Sequence, residues 1–184
     1  MVSGEHARAL AEALLATRCP RRWLHVQGVA AAAIELSERL DSVEGALVAV
    51  AWLHDVGYAP DLVRTGFHPL DGARYLRGEG FDDRVAGLVA HHSYARIEAD
   101  LRGLGAVLDA EFPHEESLTA DVLCYCDMTT SPNGDRVDVS DRLTEIRTRY
   151  GPRDVVAQFV ARAEPQIFAT VRRVEGLLLP TQPR

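Results

Sequence analysis

The segment from Ala46 to Asp55 reads ALVAVAWLHD and decides how the chain folds. Its run from Ala46 to Leu53 has no polar face, which is typical of a helix that is buried on every side. His54 and Asp55 end this run. Burial of an ionised carboxylate costs several kcal/mol unless another group compensates it, and a bound cation is the usual compensation. Because adjacent helical side chains point about 100° apart, both can reach one cation only near the helix end.

Helical patterns extend in both directions from this segment. No part of the sequence shows the sustained apolar–polar alternation of a half-buried strand. Helices are predicted at about residues 3–16, 21–40, 43–56, 69–77, 82–92, 97–111, 117–127, 141–150 and 154–178. Ser3 and Ser42 are the expected caps of the first and third helices, and Pro165 is expected to bend the last one. We expect an all-α bundle of about seven to nine helices that forms one domain over residues 1–184.

The composition is that of a globular protein. Of the 184 residues, 47% are hydrophobic and 26% are charged, and the longest apolar run is far shorter than the roughly 20 residues of a membrane span. Glu5, Arg8 and Glu12 interrupt the apolar residues of the first segment, which therefore resembles an amphipathic helix more than a signal peptide. We predict a cytoplasmic protein without a membrane partner.

The charged residues limit the chemistry. A net charge of −7 argues against a nucleic-acid polymer as partner and allows a small anionic or polar substrate. All 20 basic residues are arginines, which excludes Schiff-base chemistry on lysine. Cys19, Cys124 and Cys126 form neither a disulfide framework nor a zinc-finger pattern, and the last two are expected to pack in the core.

Further histidines and an aspartate interrupt apolar faces. His25 lies on the apolar face of the second helix, Asp127 closes the apolar run 122–126, and His68 precedes Pro69 at the start of the fourth helix. His92 shares a face with apolar residues of the fifth helix, and His91 lies one step round it. A single inward histidine is more often a hydrogen-bonded core residue than a ligand. The repetition of the pattern favours a metal site.

The order of His25, the His54-Asp55 pair and Asp127 resembles the HD superfamily of metal-dependent phosphohydrolases, which is named after the adjacent His-Asp pair. The resemblance covers about residues 21–133 and includes the segments around His68 and the double histidine at 91–92. It implies that a first metal is held by His25, His54, Asp55 and Asp127.

The additional histidines resemble the dinuclear branch of that superfamily. The resemblance implies that Asp55 bridges to a second metal, held also by His68 and by either His91 or His92. The apolar-face pattern favours His92, while the double-histidine motif permits His91. Imidazole and carboxylate ligands without a thiolate suit Fe, Mn, Co or Zn. Two divalent transition metals per chain are therefore expected.

Four arginines are candidates for binding an anionic substrate, although each is equally consistent with a solvated surface position. They are Arg22, Arg74, Arg96 and Arg136.

The resemblance implies hydrolysis of a small phosphate ester or nucleotide by a metal-bound hydroxide, with Asp55 as the central catalytic ligand. A first alternative is a mixed-valent di-iron oxygenase of the same superfamily, which uses the same set of four histidines and two aspartates on a small polar substrate. A second alternative is a metal-stabilised regulatory protein without turnover. The double histidine at 91–92 is not followed by a Gly-Tyr-Pro segment, which argues against a cyclic-dinucleotide phosphodiesterase.

Overall fold

A computed structural model describes residues 3–40 and 45–179 of the chain. These residues form ten α-helices: α1 (Gly4–Leu15), α2 (Pro20–Arg39), α3 (Ala46–Leu53), α4 (His68–Gly78), α5 (Asp83–His91), α6 (Ala95–Leu101), α7 (Gly105–Glu111), α8 (Leu118–Met128), α9 (Val139–Tyr150) and α10 (Val155–Leu178). Short 3₁₀ turns occur at Val56–Tyr58, Pro60–Leu62 and His92–Tyr94. In the described ranges the only β pairing is an isolated bridge between Thr130 and Arg136. The prediction of an all-α fold is confirmed.

Helix α3 lies at the centre of the molecule. It packs against α1, α2, α5 and α8, and the side chains of Leu47, Val50 and Leu53 have no exposed surface. The wholly apolar sequence of this helix requires such a position, because any side turned to water would expose apolar surface. His54 and Asp55, which follow the helix, consequently lie in the interior.

The helix termini follow local sequence signals. Ser3 caps α1 by accepting a hydrogen bond from the His6 amide at 3.2 Å, as predicted. Ser117 caps α8 in the same way, by accepting from the Ala120 amide. Helix α10 continues through Pro165. The predicted Ser42 cap lies outside the described residues.

One predicted element was wrong. Instead of one helix over 97–111, the chain forms α6 and α7. Gly103 adopts a φ of 72°, and the amide of Leu104 donates to the Ala99 carbonyl at 2.8 Å. This is the glycine-based termination that satisfies the last carbonyls of a helix, and it ends α6.

Helices α9 and α10 cover one side of the bundle. Helix α10 packs against α6, α8 and α9. Cys124 and Cys126, on α8, are both buried and are not joined in a disulfide. Among the described residues, no helix is both long enough and apolar enough to cross a membrane.

The turn after α3 lies directly against the start of α4. A Cβ atom at Gly57 would clash with the His68 carbonyl and would lie only 2.7 Å from the Gly72 amide nitrogen. Both neighbours are backbone atoms and cannot move aside as a flexible side chain can. This close approach places the first residue of α4, His68, beside the end of α3.

We predict that Gly57→Ala lowers the free energy of unfolding by roughly 1–3 kcal/mol or more, because the added methyl group forces α4 away from the turn. The matched control is Gly176→Ala in α10, where an added Cβ has no neighbour within 4 Å. Thermal unfolding followed by circular dichroism compares the two variants. Equal melting temperatures would contradict the tight contact.

Candidate metal centre

His54 and Asp55 lie buried at the end of α3, with 0% and 2% of their surfaces exposed. His54 keeps the helical backbone conformation, whereas Asp55 leaves it with φ −107° and ψ 7°. The helix therefore ends between the two residues. Their side chains enter two different groups of potential metal ligands.

The first group consists of His25 from α2, His54, and Asp127 from α8, whose ligand atoms all lie within 4.8 Å of one another. The Nδ1 atoms of His25 and His54 lie 3.1 and 2.8 Å from the carbonyl oxygens of Ser131 and Ala51. A carbonyl only accepts hydrogen bonds, so each Nδ1 carries the proton. The Nε2 lone pairs of both rings are left to face the group, which is the usual arrangement of metal-binding histidines.

The contact between His25 and Asp127 in this group brings two hydrogen-bond acceptors together without a proton between them. Nε2 of His25 lies 3.0 Å from Oδ1 of Asp127. Burial lowers the pKa of His25, even though Asp127 opposes the shift, so the ring is neutral near neutral pH. The Nε2 lone pair then meets a carboxylate that is also an acceptor. A cation between them would satisfy both atoms.

The second group consists of Asp55, His68 and His92. Oδ1 of Asp55 lies 3.2 Å from Nε2 of His68 and 4.0 Å from Nε2 of His92. Nδ1 of His92 donates to the Val89 carbonyl at 2.6 Å. Burial and the nearby His54 and His68 lower the pKa of His92 to about 4, so its Nε2 is unprotonated. This atom faces Nε2 of His68 at 3.3 Å.

Asp55 connects the two groups. Its Oδ1 faces His68 and His92, while its Oδ2 lies 3.4 Å from Nε2 of His54 and 3.8 Å from Nε2 of His25. Burial raises the pKa of Asp55, but the charge of Arg22 and the contact with the His54 imidazole outweigh that effect and hold the pKa of Asp55 well below its usual value. The ionised carboxylate thus presents one oxygen to each group, as a bridging ligand does.

Two observations show that the residues fit a metal. Nε2 of His54 is buried and makes no hydrogen bond of acceptable geometry with the described residues. Nε2 of His25 faces Oδ1 of Asp127, which is an acceptor and not a donor. Neutral imidazoles and ionised carboxylates without a thiolate are suitable ligands for divalent transition metals. Both groups could hold such an ion.

The sequence also matches a known family. A family model described as "HD domain" matches residues 22–130, which is more than half of the chain. The chain belongs to the HD-domain family. The resemblance seen in the sequence is confirmed. No curated protein and no solved structure gave a significant match.

Of the two adjacent histidines, His92 lies in the second group of potential ligands and His91 lies in neither group. Helix α5 ends at His91, and His92 is already extended with φ −55° and ψ 147°. Ser93 and Tyr94 follow with left-handed φ values of 49° and 63°, which are unfavourable for residues other than glycine. Nε2 of His91 instead donates to the Phe112 carbonyl at 2.9 Å.

The strained turn also aligns a carboxylate of this HD domain. The hydroxyl of Ser93 donates to Oδ2 of Asp127, which leaves Oδ1 facing His25. Burial raises the pKa of Asp127, but its contacts with the imidazoles of His25 and His54 outweigh that effect and hold the pKa below its usual value, so the group stays ionised. Backbone strain of this kind is typical of functional sites.

A pocket opens over the two ligand groups, and one of the four arginine candidates lines it. Arg22 donates to Oδ2 of Asp55 at 2.6 Å. The other three face elsewhere and pair with surface or helix partners: Arg74 with Glu111, Arg96 with Asp109, and Arg136 with the Tyr125 hydroxyl.

Three pocket residues went unnoticed in the sequence. Tyr58 is stacked between Arg22 and His68, with its ring centroid 4.0 Å from the guanidinium carbon and 4.0 Å from the imidazole centroid. Arg142 and Arg149 reach the pocket from α9. The spacing of 142, 146, 149 and 150 was an available signal, because these positions share one helical face.

We predict that His92→Ala lowers the metal content of the HD domain by about one equivalent per chain, since loss of a direct ligand should cost at least the roughly 10–100-fold in affinity typical of outer-shell changes. The adjacent His91→Ala variant is the matched control. It should retain its metal, because Nε2 of His91 is hydrogen bonded to the Phe112 carbonyl and does not face the other candidate ligands. Mass-spectrometric metal analysis of protein loaded anaerobically with Mn²⁺ or Fe²⁺ gives the counts. Loss of metal in the His91 variant alone would reverse the assignment.

Proposed function

We propose that this HD-domain protein is a metal-dependent phosphohydrolase that cleaves small phosphate esters. The observation that carries the proposal is the position of Asp55 at the floor of a pocket, with one carboxylate oxygen facing each histidine group. An arrangement of this kind suits two cations that share a ligand. Two-cation sites are typical of enzymes that catalyse phosphoryl displacement.

The metal ligands would be divided as the geometry suggests. His25, His54, Asp55 and Asp127 would hold one divalent cation, and Asp55, His68 and His92 would hold a second. When bound, such cations supply Lewis-acid activation of water and of a phosphoryl oxygen. The backbone carbonyls of Ser131, Ala51 and Val89 keep three of the imidazoles in the tautomer that metal binding needs.

Arg22 is the residue best placed to bind the phosphoryl group. Its guanidinium lies against the Tyr58 ring and beside Oδ2 of Asp55, and it lines the pocket. A guanidinium presents several N–H donors in one plane, so Arg22 can keep a bond to Asp55 and donate to a phosphate oxygen. Tyr58 orients Arg22 and His68 together by stacking between them.

The charge of the pocket favours an anionic substrate. Its lining contains three arginines and three carboxylates: Arg22, Arg142 and Arg149, and Asp55, Glu98 and Asp127. Two divalent cations at Asp55 and Asp127 would give this lining a net positive charge. The site is also well shielded, because Asp55, His92 and Asp127 are each at least nine-tenths buried. Exclusion of water strengthens the attraction between these arginines and a phosphate.

One observation supports oxidation as a second candidate. The two groups together contain four histidines and two aspartates, which is the ligand set that the resemblance to the HD superfamily implies for its mixed-valent di-iron oxygenases. For this function the metals would have to be iron, and the reaction would consume O₂.

The direct test is hydrolysis of 4-nitrophenyl phosphate by metal-loaded protein under anaerobic conditions. We expect turnover with Mn²⁺, Co²⁺ or Fe²⁺, loss of activity on chelation, and a fall of at least roughly 100-fold in kcat/KM for Asp55→Asn, because a neutral amide is a poor bridge between two cations. Asp109→Asn, an exposed aspartate paired with Arg96, is the matched control and should retain activity. A two-iron protein that is inert toward phosphate esters but consumes O₂ would favour the oxygenase.

A further inference from the structure

Arg142 is an unusual arginine for a surface helix. It lies on α9, yet only 4% of its surface is exposed, and it lines the pocket above the metal ligands. Its Nη1 donates to Oε2 of Glu145 at 2.8 Å. Its Nε is buried and makes no hydrogen bond within residues 3–40 and 45–179. Burial of an N–H group without an acceptor is costly.

The positive charge of Arg142 is also poorly compensated. Its partner Glu145 is shared with two other arginines: Oε1 of Glu145 lies 3.4 Å from Nε of Arg149 and 4.0 Å from Nη2 of Arg21. Burial lowers the pKa of Arg142, although Asp127 and Glu145 act in the opposite direction. The Glu145 carboxylate therefore faces three guanidinium groups. The most buried of them, that of Arg142, has an Nε–H without an acceptor among the residues that the structure describes.

The surroundings of Arg142 indicate the shape of a ligand. Arg22 lines the same pocket at the floor, next to Asp55. Beside Arg142 on α9 and α10 lies an apolar wall formed by Ile146, Val156, Phe159 and Val160. The pocket thus combines cationic donors near the metal ligands with apolar surface on one side.

We propose that Arg142 binds a phosphoryl oxygen of the substrate through its Nε–H, and that the apolar wall takes a compact apolar or aromatic organic group. The substrate class is then a phosphate monoester of a small apolar or aromatic alcohol, rather than of a sugar or another polyol. This substrate assignment rests on the proposed hydrolase function, whereas the binding role of Arg142 does not require turnover.

Arg142 and the residues of the apolar wall, which would select the substrate, lie outside the part of the chain that matches the HD-domain family. The match ends at residue 130, and α9 and α10 begin at Val139 and Val155. The HD-domain part contributes the metal ligands and Arg22. The C-terminal helices contribute Arg142 and the apolar wall, so they provide the specificity of this particular chain.

The test measures binding of phenylphosphonate, a non-hydrolysable analogue, to the metal-loaded full chain by isothermal titration calorimetry. Arg142→Met should raise Kd roughly 10- to 100-fold, as expected for loss of a hydrogen bond to a charged group. Arg74→Met, which removes an arginine outside the pocket that pairs with Glu111, is the matched control and should leave Kd unchanged. Phe159→Ala should reduce the preference for phenylphosphonate over inorganic phosphate without weakening phosphate binding itself.

Arg142→Lys is a second variant that tests the same role if Arg142→Met folds poorly. It keeps a positive charge but lacks the planar Nε–H donor, and should show a Kd between those of wild type and Arg142→Met. An unchanged Kd in a folded, fully metallated Arg142→Met variant would overturn the proposal, as would a wild-type protein that does not bind phenylphosphonate.

The two proposals fail in different ways. Arg142-dependent binding without hydrolysis of any ester would support the binding role and reject the hydrolase. Ester hydrolysis with no effect of Arg142→Met on binding would support the hydrolase and reject the role of Arg142. A faster turnover of glycerol phosphate than of phenyl phosphate would overturn the assigned substrate class.

Discussion

The buried carboxylate of Asp55 is the constraint on which the rest of the structure depends. Helix α3 is apolar throughout and must lie at the centre, and its last turn leads directly into Asp55. An ionised group at that depth is tolerated only among compensating partners. Arg22 from α2, His68 from α4 and His54 provide them. The packing of several helices around α3 is thereby tied to the chemistry of one side chain.

The sequence predicted the inward position of those candidate ligands that lie on a regular helix. His25 lies inward because its helix keeps one apolar face, and Asp127 closes a buried run on α8. His54 and Asp55 follow from the all-apolar character of α3. At these positions, hydrophobic burial alone determines which way the side chain points, so the pattern of apolar residues was sufficient.

Other features depend on backbone geometry that periodicity does not report. Which of His91 and His92 lies beside Asp55 is determined by the end of α5 and by two left-handed residues, Ser93 and Tyr94, neither of which is a glycine. The division between α6 and α7 is made by Gly103, whose effect depends on a local turn. Arg142 was missed because an arginine on a helix rich in charged residues is usually solvated, and its burial depends on the other helices that pack beside α9.

The charges explain why an arginine-lined pocket is compatible with a cationic metal centre. Asp55 and Asp127 are the two carboxylates among the ligand groups, and two divalent cations would exceed their combined charge. The site would then carry a net positive charge, to which Arg22 and Arg142 add. In a shielded pocket such an excess is costly unless an anion enters, because the local dielectric is low. A phosphate dianion supplies that charge and hydrogen-bond acceptors together, whereas a neutral polyol would supply acceptors but leave the excess charge uncompensated.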